Sequence, residues 1–257
     1  MDEDSQKAIE RAARVQQRAE ALVAAGGGAP SPEDIAKLNR AALEEKARRW
    51  REQMDGWVKA GILRVNLAPY AHPWPEAVAQ NRAAWDVAKR WKPEHGNVIA
   101  FGPHGIGKSA LCRYIMAIYA WNCLDRAYLL SGPIADVSAV SLATKLSSYE
   151  HEGTFERLTR VGVLNIDDMD KAPWTPRSLA FLWELIDLRS ENRRPILMTA
   201  NVAPAELHGQ LCAARPENTA HASAVLARLR PHIELEMGGK NLRQLREFGS
   251  WEKRDGQ

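Results

Sequence analysis

Two hydrophobic rhythms alternate along the chain from residue 97 onward. Short apolar runs stand at 97–101, 127–130, 161–166 and 195–200, while residues 232–237 alternate apolar with polar. Between them, apolar residues recur three and four positions apart, over 110–119, 136–151 and 174–192. Short runs bounded by turn residues predict strands, and the 3.6-residue rhythm predicts helices. The expected class is therefore α/β. In the 174–192 helix, Leu179, Leu182, Trp183, Leu185 and Ile186 form the buried stripe, with Thr175 or Ser178 as its cap. Residues 153–158 lead toward the 161–166 strand. Residues 203–221 are polar and broken by Pro204, Gly209 and Pro216, and 223–229 reads as a short helix carrying Arg228. The strand at 232–237 suits a sheet edge, Gly238-Gly239 a turn, and the stretch from Asn241 a basic end.

Upstream the pattern is mainly helical. Residues 5–25 form a weakly amphipathic stretch, interrupted by the Gly/Pro-rich linker at 26–32. A second helix opens with Ser31 as cap, Pro32 at its first position and Glu33 and Asp34 in its first turn. Its apolar edge, Ile35, Leu38, Leu43, Ala47, Trp50, Met54 and Trp57, either packs inside the protein or docks another protein. An irregular connector, 61–75, separates this region from an amphipathic helix over 76–91. The expected division is a helical partner-binding region at 1–75 and a nucleotide-binding domain at 76–257.

Composition narrows the class only a little. With 45% hydrophobic and 26% charged residues, the 257-residue chain can bury a full core. A net charge of +3 permits nucleic-acid contact without demanding it. The three cysteines, Cys112, Cys123 and Cys212, lack metal-ligand spacing, and a reducing cytoplasmic setting is expected. No apolar stretch is long enough to span a bilayer, so no membrane partner is expected.

The sharpest chemistry lies at Gly102-Pro103-His104-Gly105-Ile106-Gly107-Lys108-Ser109, which fits G-x-x-x-x-G-K-[ST] between a strand and a helix. Glycines let backbone N–H groups turn inward on a phosphate, and the helix beginning near Ala110 adds its dipole. Lys108 is expected on the β- and γ-phosphates of ATP and Ser109 on Mg²⁺. The 161–166 strand ends in Asp167-Asp168, placing Asp167 as the second metal-directed group. Asp168 reads as general base for the attacking water, or as a cap or solvated loop residue. Asn201 closes the 195–200 strand, so Gly102, Asp167 and Asn201 are expected on one sheet rim.

The ordered series of phosphate loop, 163–169 acidic strand end, 195–201 strand, 224–229 "AVLARL" segment and 239–243 resembles the AAA+ ATPases of the DnaC/DnaI helicase-loader and IstB transposition-helper clade. The resemblance spans roughly residues 76–243. It implies an AAA+ P-loop NTPase domain, a parallel sheet flanked by helices, with a small helical N-terminal region. It also implies ATP hydrolysis, stimulated by DNA or a partner and expected to be slow because Asp168, where many relatives carry Glu, sets its carboxylate back by one methylene. By this resemblance Asn201 matches the sensor asparagine, and Arg228 the arginine finger reaching a neighbouring subunit's nucleotide, with Arg230 as rival finger. A surface arginine is the alternative for Arg228. Arg243 matches a late nucleotide-facing basic residue. Asp168 stands where many relatives carry Glu, and residues 1–60 lack the cysteine cluster of relatives with a zinc-binding N-terminal domain.

The function implied first is an ATP-dependent loader of a hexameric replicative DNA helicase. It would hold the helicase through its N-terminal helices and grip single-stranded DNA through self-associated ATPase domains. Lys145, Tyr149 and Lys171 are candidate DNA contacts or simply solvated side chains. An IstB-like transposition helper on duplex DNA with a transposase shares the nucleotide chemistry. A nucleotide-switched adaptor with little turnover is the third reading, and a metabolite kinase a weaker one.

Overall fold

The computed structural model describes residues 32–123, 134–148, 152–213, 216–230 and 232–242. The predicted helix at 5–25, most of the Gly/Pro linker, the predicted strand at 127–130, Tyr149 and Arg243 lie outside them. Two compact units are distinguished, Met1–Arg49 and Trp50–Gln257. The described part of the first is the opening of helix α1 (Pro32–Lys59). Leu43 there is 59% exposed, and Glu45 accepts a charge-assisted bond from Arg48 at 2.7 Å.

The second unit is built on five strands: β1 (Asn97–Phe101), β2 (Ile134–Ser138), β3 (Val163–Asp167), β4 (Ile196–Ala200) and β5 (His232–Glu236). Their order is β2-β3-β4-β1-β5, and every neighbouring pair is parallel. Parallel neighbours require crossovers, supplied by α4 (Lys108–Cys123), α5 (Ala139–Ser147), α6 (Glu152–Arg160), α7 (Pro176–Glu191), α8 (Pro204–Ala213) and α9 (Thr219–Arg228). Two short helices, α2 (Pro75–Gln80) and α3 (Arg82–Arg90), precede β1.

Strand alternation divides the core between the two sheet faces. Val98 and Ala100 of β1 face Leu111, Ile115 and Met116 of α4, together with Trp85 of α3. Ile99 belongs to the other face, with Leu164 and Ile166 of β3, Met198 of β4 and Leu179, Leu182 and Ile186 of α7. Trp50, Met54, Leu63 and Leu67 are buried on the α4 side, so the chain from Trp50 through the connector contributes to this core.

The structure corrects several expected elements. Residues 136–138 are strand rather than helix; Ser138 then caps α5 by accepting a bond from Ser141 N–H at 3.2 Å. The helix expected over 76–91 breaks at Asn81, whose side chain accepts from Gly238 N–H at 2.9 Å. The lead-in at 153–158 lies within helix α6. Most of the interrupted 203–221 stretch is helical, and α9 begins at Thr219 rather than Ser223. At α7 both proposed caps act together: Thr175 is the N-cap and Ser178 bonds back to it.

Candidate nucleotide-binding and active site

β1, β3 and β4 end on one rim and deliver Gly102, Asp167 with Asp168, and Asn201 there. The 102–109 loop leaves β1 with Gly102 at φ 131°, Gly105 at 77° and Gly107 at 101°. A Cβ at Gly102 would collide with the Met237 carbonyl, and one at Gly105 with the Asn241 side chain. Glycine is thus required by both backbone angle and space. Ile106 anchors the loop by burying its side chain in the core, and Leu242 N–H bonds the Gly105 carbonyl at 2.8 Å.

Beside the loop lies a cavity of about 490 Å³, a volume suited to a nucleotide-sized ligand. One wall is polar: His104, Gly105, Gly107, Lys108, Ser109, Ala110, Asp168, Lys171 and Asn201. The other comes largely from the connector and α2–α3, with Val65, Pro69, Tyr70, Trp74 and Trp85. Pro103 is exposed at the loop's tip.

Lys108, the first residue of α4, is only 5% exposed. Its ammonium donates to the Gly102 and Pro103 carbonyls at 2.7 Å each and to Asn201 Oδ1 at 3.1 Å, using all three protons. Burial pushes its pKa down, and the nearby charges of Asp168 and Asp170 offset that only in part.

Asp167 is the best-connected group of the site. Its Oδ1 accepts from Ser109 Oγ at 2.6 Å and Thr199 Oγ1 at 2.7 Å. Its Oδ2 accepts from Arg64 at 2.8 Å and Arg113 at 3.3 Å. Burial alone would raise this carboxyl. The bonds from Ser109, Thr199 and Arg64, with the charge of Arg113, outweigh burial and hold it below the usual carboxylate range. Behind it, Asp136 is wholly buried and accepts from Arg64 and Arg113 at 3.3 Å and from Asn165 Nδ2 at 2.7 Å.

Asp168 adopts a left-handed backbone, φ 60° and ψ 53°, a conformation Asp tolerates better than most side chains. Its N–H donates to Thr199 Oγ1 at 2.8 Å and its carboxylate pairs with Lys171 at 2.9 Å. Asn201 gives its own N–H to Asp170 Oδ1 and its amide N–H to Asp170 Oδ2, at 2.9 and 2.8 Å.

Of the residues expected from the sequence, the loop, Lys108, Ser109, Asp167, Asp168 and Asn201 therefore converge. Arg228 does not join them within this chain: it stands exposed at the end of α9, paired with Asp187 at 2.8 Å. Arg230 is exposed beside a smaller cavity with His208 and His232. Lys171 lies at the rim, whereas Lys145 is an exposed residue of α5. Sequence reasoning missed Arg64, Arg113, Asp136, Thr199 and Asp170. Asp170, three residues beyond Asp167, and Thr199, inside a recognised strand, were visible as polar residues beside the predicted rim; Arg64 and Asp136 sat in segments assigned to a connector and a helix.

The fit to ATP and Mg²⁺ rests on these groups. The glycine cradle excludes side chains, a buried cation faces it, and Ser109 with Asp167 offers the hard oxygen donors that Mg²⁺ prefers.

No protein-family model matches this chain. In sequence it is similar to a protein of Sinorhizobium fredii (strain NBRC 101917 / NGR234) described as an insertion sequence ATP-binding protein, y4uH. The two are 28% identical over 225 residues, covering 80% of this chain and 82% of that one. In structure it resembles a DNA replication initiation factor, at TM-score 0.50 and 17% identity, covering 66% of this chain and 52% of that one. DnaI (TM-score 0.48, 18% identity, covering 63% and 84%) and the DnaC helicase loader (0.46, 19%, 68% and 97%) resemble it as well. Among the described residues no helix is long and apolar enough to cross a membrane. With its five parallel strands, its phosphate loop and the acidic strand end beside it, this chain has the α/β fold of a phosphate-loop nucleotide-binding protein and is similar in sequence to an insertion sequence ATP-binding protein.

Proposed function

We propose that the chain is a nucleotide-switched, DNA-handling ATPase that serves an insertion sequence, self-associating on DNA and engaging a recombinase-type partner. The observation carrying this reading is the joining of Ser109 to Asp167 across 2.6 Å, beside buried Lys108, in a chain whose curated relative is an insertion sequence ATP-binding protein over 82% of its length. Helicase loading uses the same site and differs in its partner, a hexameric helicase, and in single-stranded DNA.

Lys108 would turn from the loop carbonyls toward the triphosphate, and Ser109 and Asp167 are the residues that would hold Mg²⁺. When bound, the metal neutralises charge developing on the phosphates. Asp168 accepts a proton from the attacking water once Lys171 releases it, and Asn201 orients that water or the terminal phosphate. Arg228 leaves Asp187 to reach the nucleotide of an adjoining copy, supplying positive charge to the transition state. Tyr70 and Trp74, both half-buried on the cavity wall, form the surface on which the base stacks.

The test compares the parent with Lys108→Ala and Arg228→Ala in nucleotide binding and in hydrolysis with duplex DNA, single-stranded DNA or no DNA. Lys108→Ala is expected to abolish binding. Arg228→Ala should retain binding and lose about 10³-fold in stimulated turnover. Mixing it with Asp168→Asn should restore part of that turnover, because the intact Asp168 site of an Arg228→Ala copy would borrow the arginine of an Asp168→Asn neighbour. Stimulation by duplex DNA supports transposition help; stimulation by single strands, with capture of a purified helicase hexamer, moves the assignment to loading. A parent with no magnesium-dependent affinity for adenine nucleotides overturns both.

A further inference from the structure

The residue that fixes Asn201 is Asp170, in the short 3₁₀ turn Met169–Lys171 that follows Asp168. Its two oxygens accept from one residue: Oδ1 from the Asn201 backbone N–H at 2.9 Å and Oδ2 from the Asn201 amide at 2.8 Å. A carboxylate only accepts and an ammonium only donates, so the two neighbours of the amide decide its orientation. Nδ2 must face Asp170, and Oδ1 must face Lys108, which lies 3.1 Å away. A carboxamide free to flip would alternate between donor and acceptor toward the cavity. This one presents a fixed face.

Asn201 lines the cavity whereas Asp170 does not, so Asp170 acts through its neighbour. The clamp also ties the turn after β3 to the end of β4, the two strand ends that bring Asp167 and Asn201 to the rim. Displacing a group aimed at the reacting phosphate by about 1 Å costs of the order of 10²-fold in rate.

We propose that Asp170 is a positioning residue for ATP hydrolysis, holding the Asn201 carboxamide in the one orientation that lets it act on the terminal phosphate or its attacking water. This rests on the assignment of Asn201 as the sensing residue. Asp170→Asn tests it at constant shape, because the new amide nitrogen would meet an N–H of Asn201 donor to donor. Asp170→Ala removes the clamp altogether.

The experiment measures kcat with stimulating DNA and the affinity for a fluorescent ATP analogue with Mg²⁺. It uses the parent, both Asp170 variants, Asn201→Ala and the double variant Asp170→Ala/Asn201→Ala. Each single change is expected to lower kcat about 10- to 100-fold while nucleotide affinity stays within about threefold. The double variant should be no slower than Asn201→Ala, within about twofold, since the clamp has nothing left to orient. A parent-like kcat for Asp170→Asn and Asp170→Ala overturns the proposal, as do multiplicative losses in the double variant or a collapse of nucleotide affinity in Asp170→Asn. If Asn201→Ala itself turns over like the parent, the sensing role of Asn201 fails first and the proposal falls with it.

Discussion

Replacing Asp136 by Asn should unsettle the ATPase unit more than its distance from the phosphate loop suggests. Two carboxylates, Asp136 and Asp167, face two guanidiniums, Arg64 and Arg113, within hydrogen-bonding range. The Asp136 side chain is 0% exposed and that of Arg113 13%. In Asp136→Asn the amide oxygen would still accept from Asn165, but the lost carboxylate charge would leave an uncompensated positive charge in a largely dry region. Breaking a buried pair by removing one partner costs about 3–5 kcal/mol. Arg64 is 33% exposed and can turn part of its charge to water, which favours the lower end, about 3 kcal/mol. In a domain of this size that corresponds to a fall of roughly 6–12 °C in Tm. Urea unfolding at neutral pH without nucleotide measures the loss. Pairing the change with Arg113→Met should recover at least about 1 kcal/mol, because the orphaned charge is then removed too. A loss below about 1 kcal/mol, or strictly additive losses in the double variant, would refute the charge-balance argument.

Two other outcomes follow from groups described above or close to them. Arg189 on α7 is fully buried and donates to the carbonyls of Leu158, Val161, Gly162 and Pro195 at 2.6–3.2 Å. Burial pushes its pKa down to about 9, still cationic at neutral pH. Arg189→Leu removes four donors from buried carbonyls and should cost about 3 kcal/mol or more by urea unfolding, whereas a loss within experimental error would mean that water replaces the guanidinium. The depressed Asp167 carboxyl contributes stability that is fully present above the ordinary value of 3.8 and disappears as pH falls below it. Asp167→Asn should therefore flatten the acid limb of the stability profile relative to the parent, measured as Tm against pH in the absence of nucleotide.

The phosphate loop, the Asp167-Asp168 strand end and Asn201 were legible because each is a local pattern at the carboxyl end of an apolar run. β1 was placed at its observed limits for the same reason. Asp136 was misread because a polar residue in a short strand at the sheet's edge disturbs the apolar run, and the residues after it do continue as a helix. The Arg64 and Arg113 partners, 72 and 23 residues away in sequence, together with Asn165, make a buried Asp tolerable in that strand. Asn81 illustrates the same limit. Its side chain serves Gly238 and the Ile106 carbonyl, contacts that outrank helix continuity and that no periodicity encodes.

The charge pattern around Asp167 also bears on the order of events at the site. Both of its oxygens are taken, one by two hydroxyls and the other by two guanidiniums. Among Asp136, Asp167, Arg64 and Arg113 the formal charges cancel, so this cluster offers no net attraction to a divalent cation arriving by itself. A hard cation needs oxygen donors in excess of Ser109 and one shared carboxylate, and phosphate oxygens supply both the missing donors and the missing negative charge. A metal site here would thus be one that nucleotide completes rather than one that waits preformed. Of the two guanidiniums on Oδ2, Arg64 is the more exposed and sits on the connector just beyond α1, so it is the one whose release an incoming cation would require least energy to force.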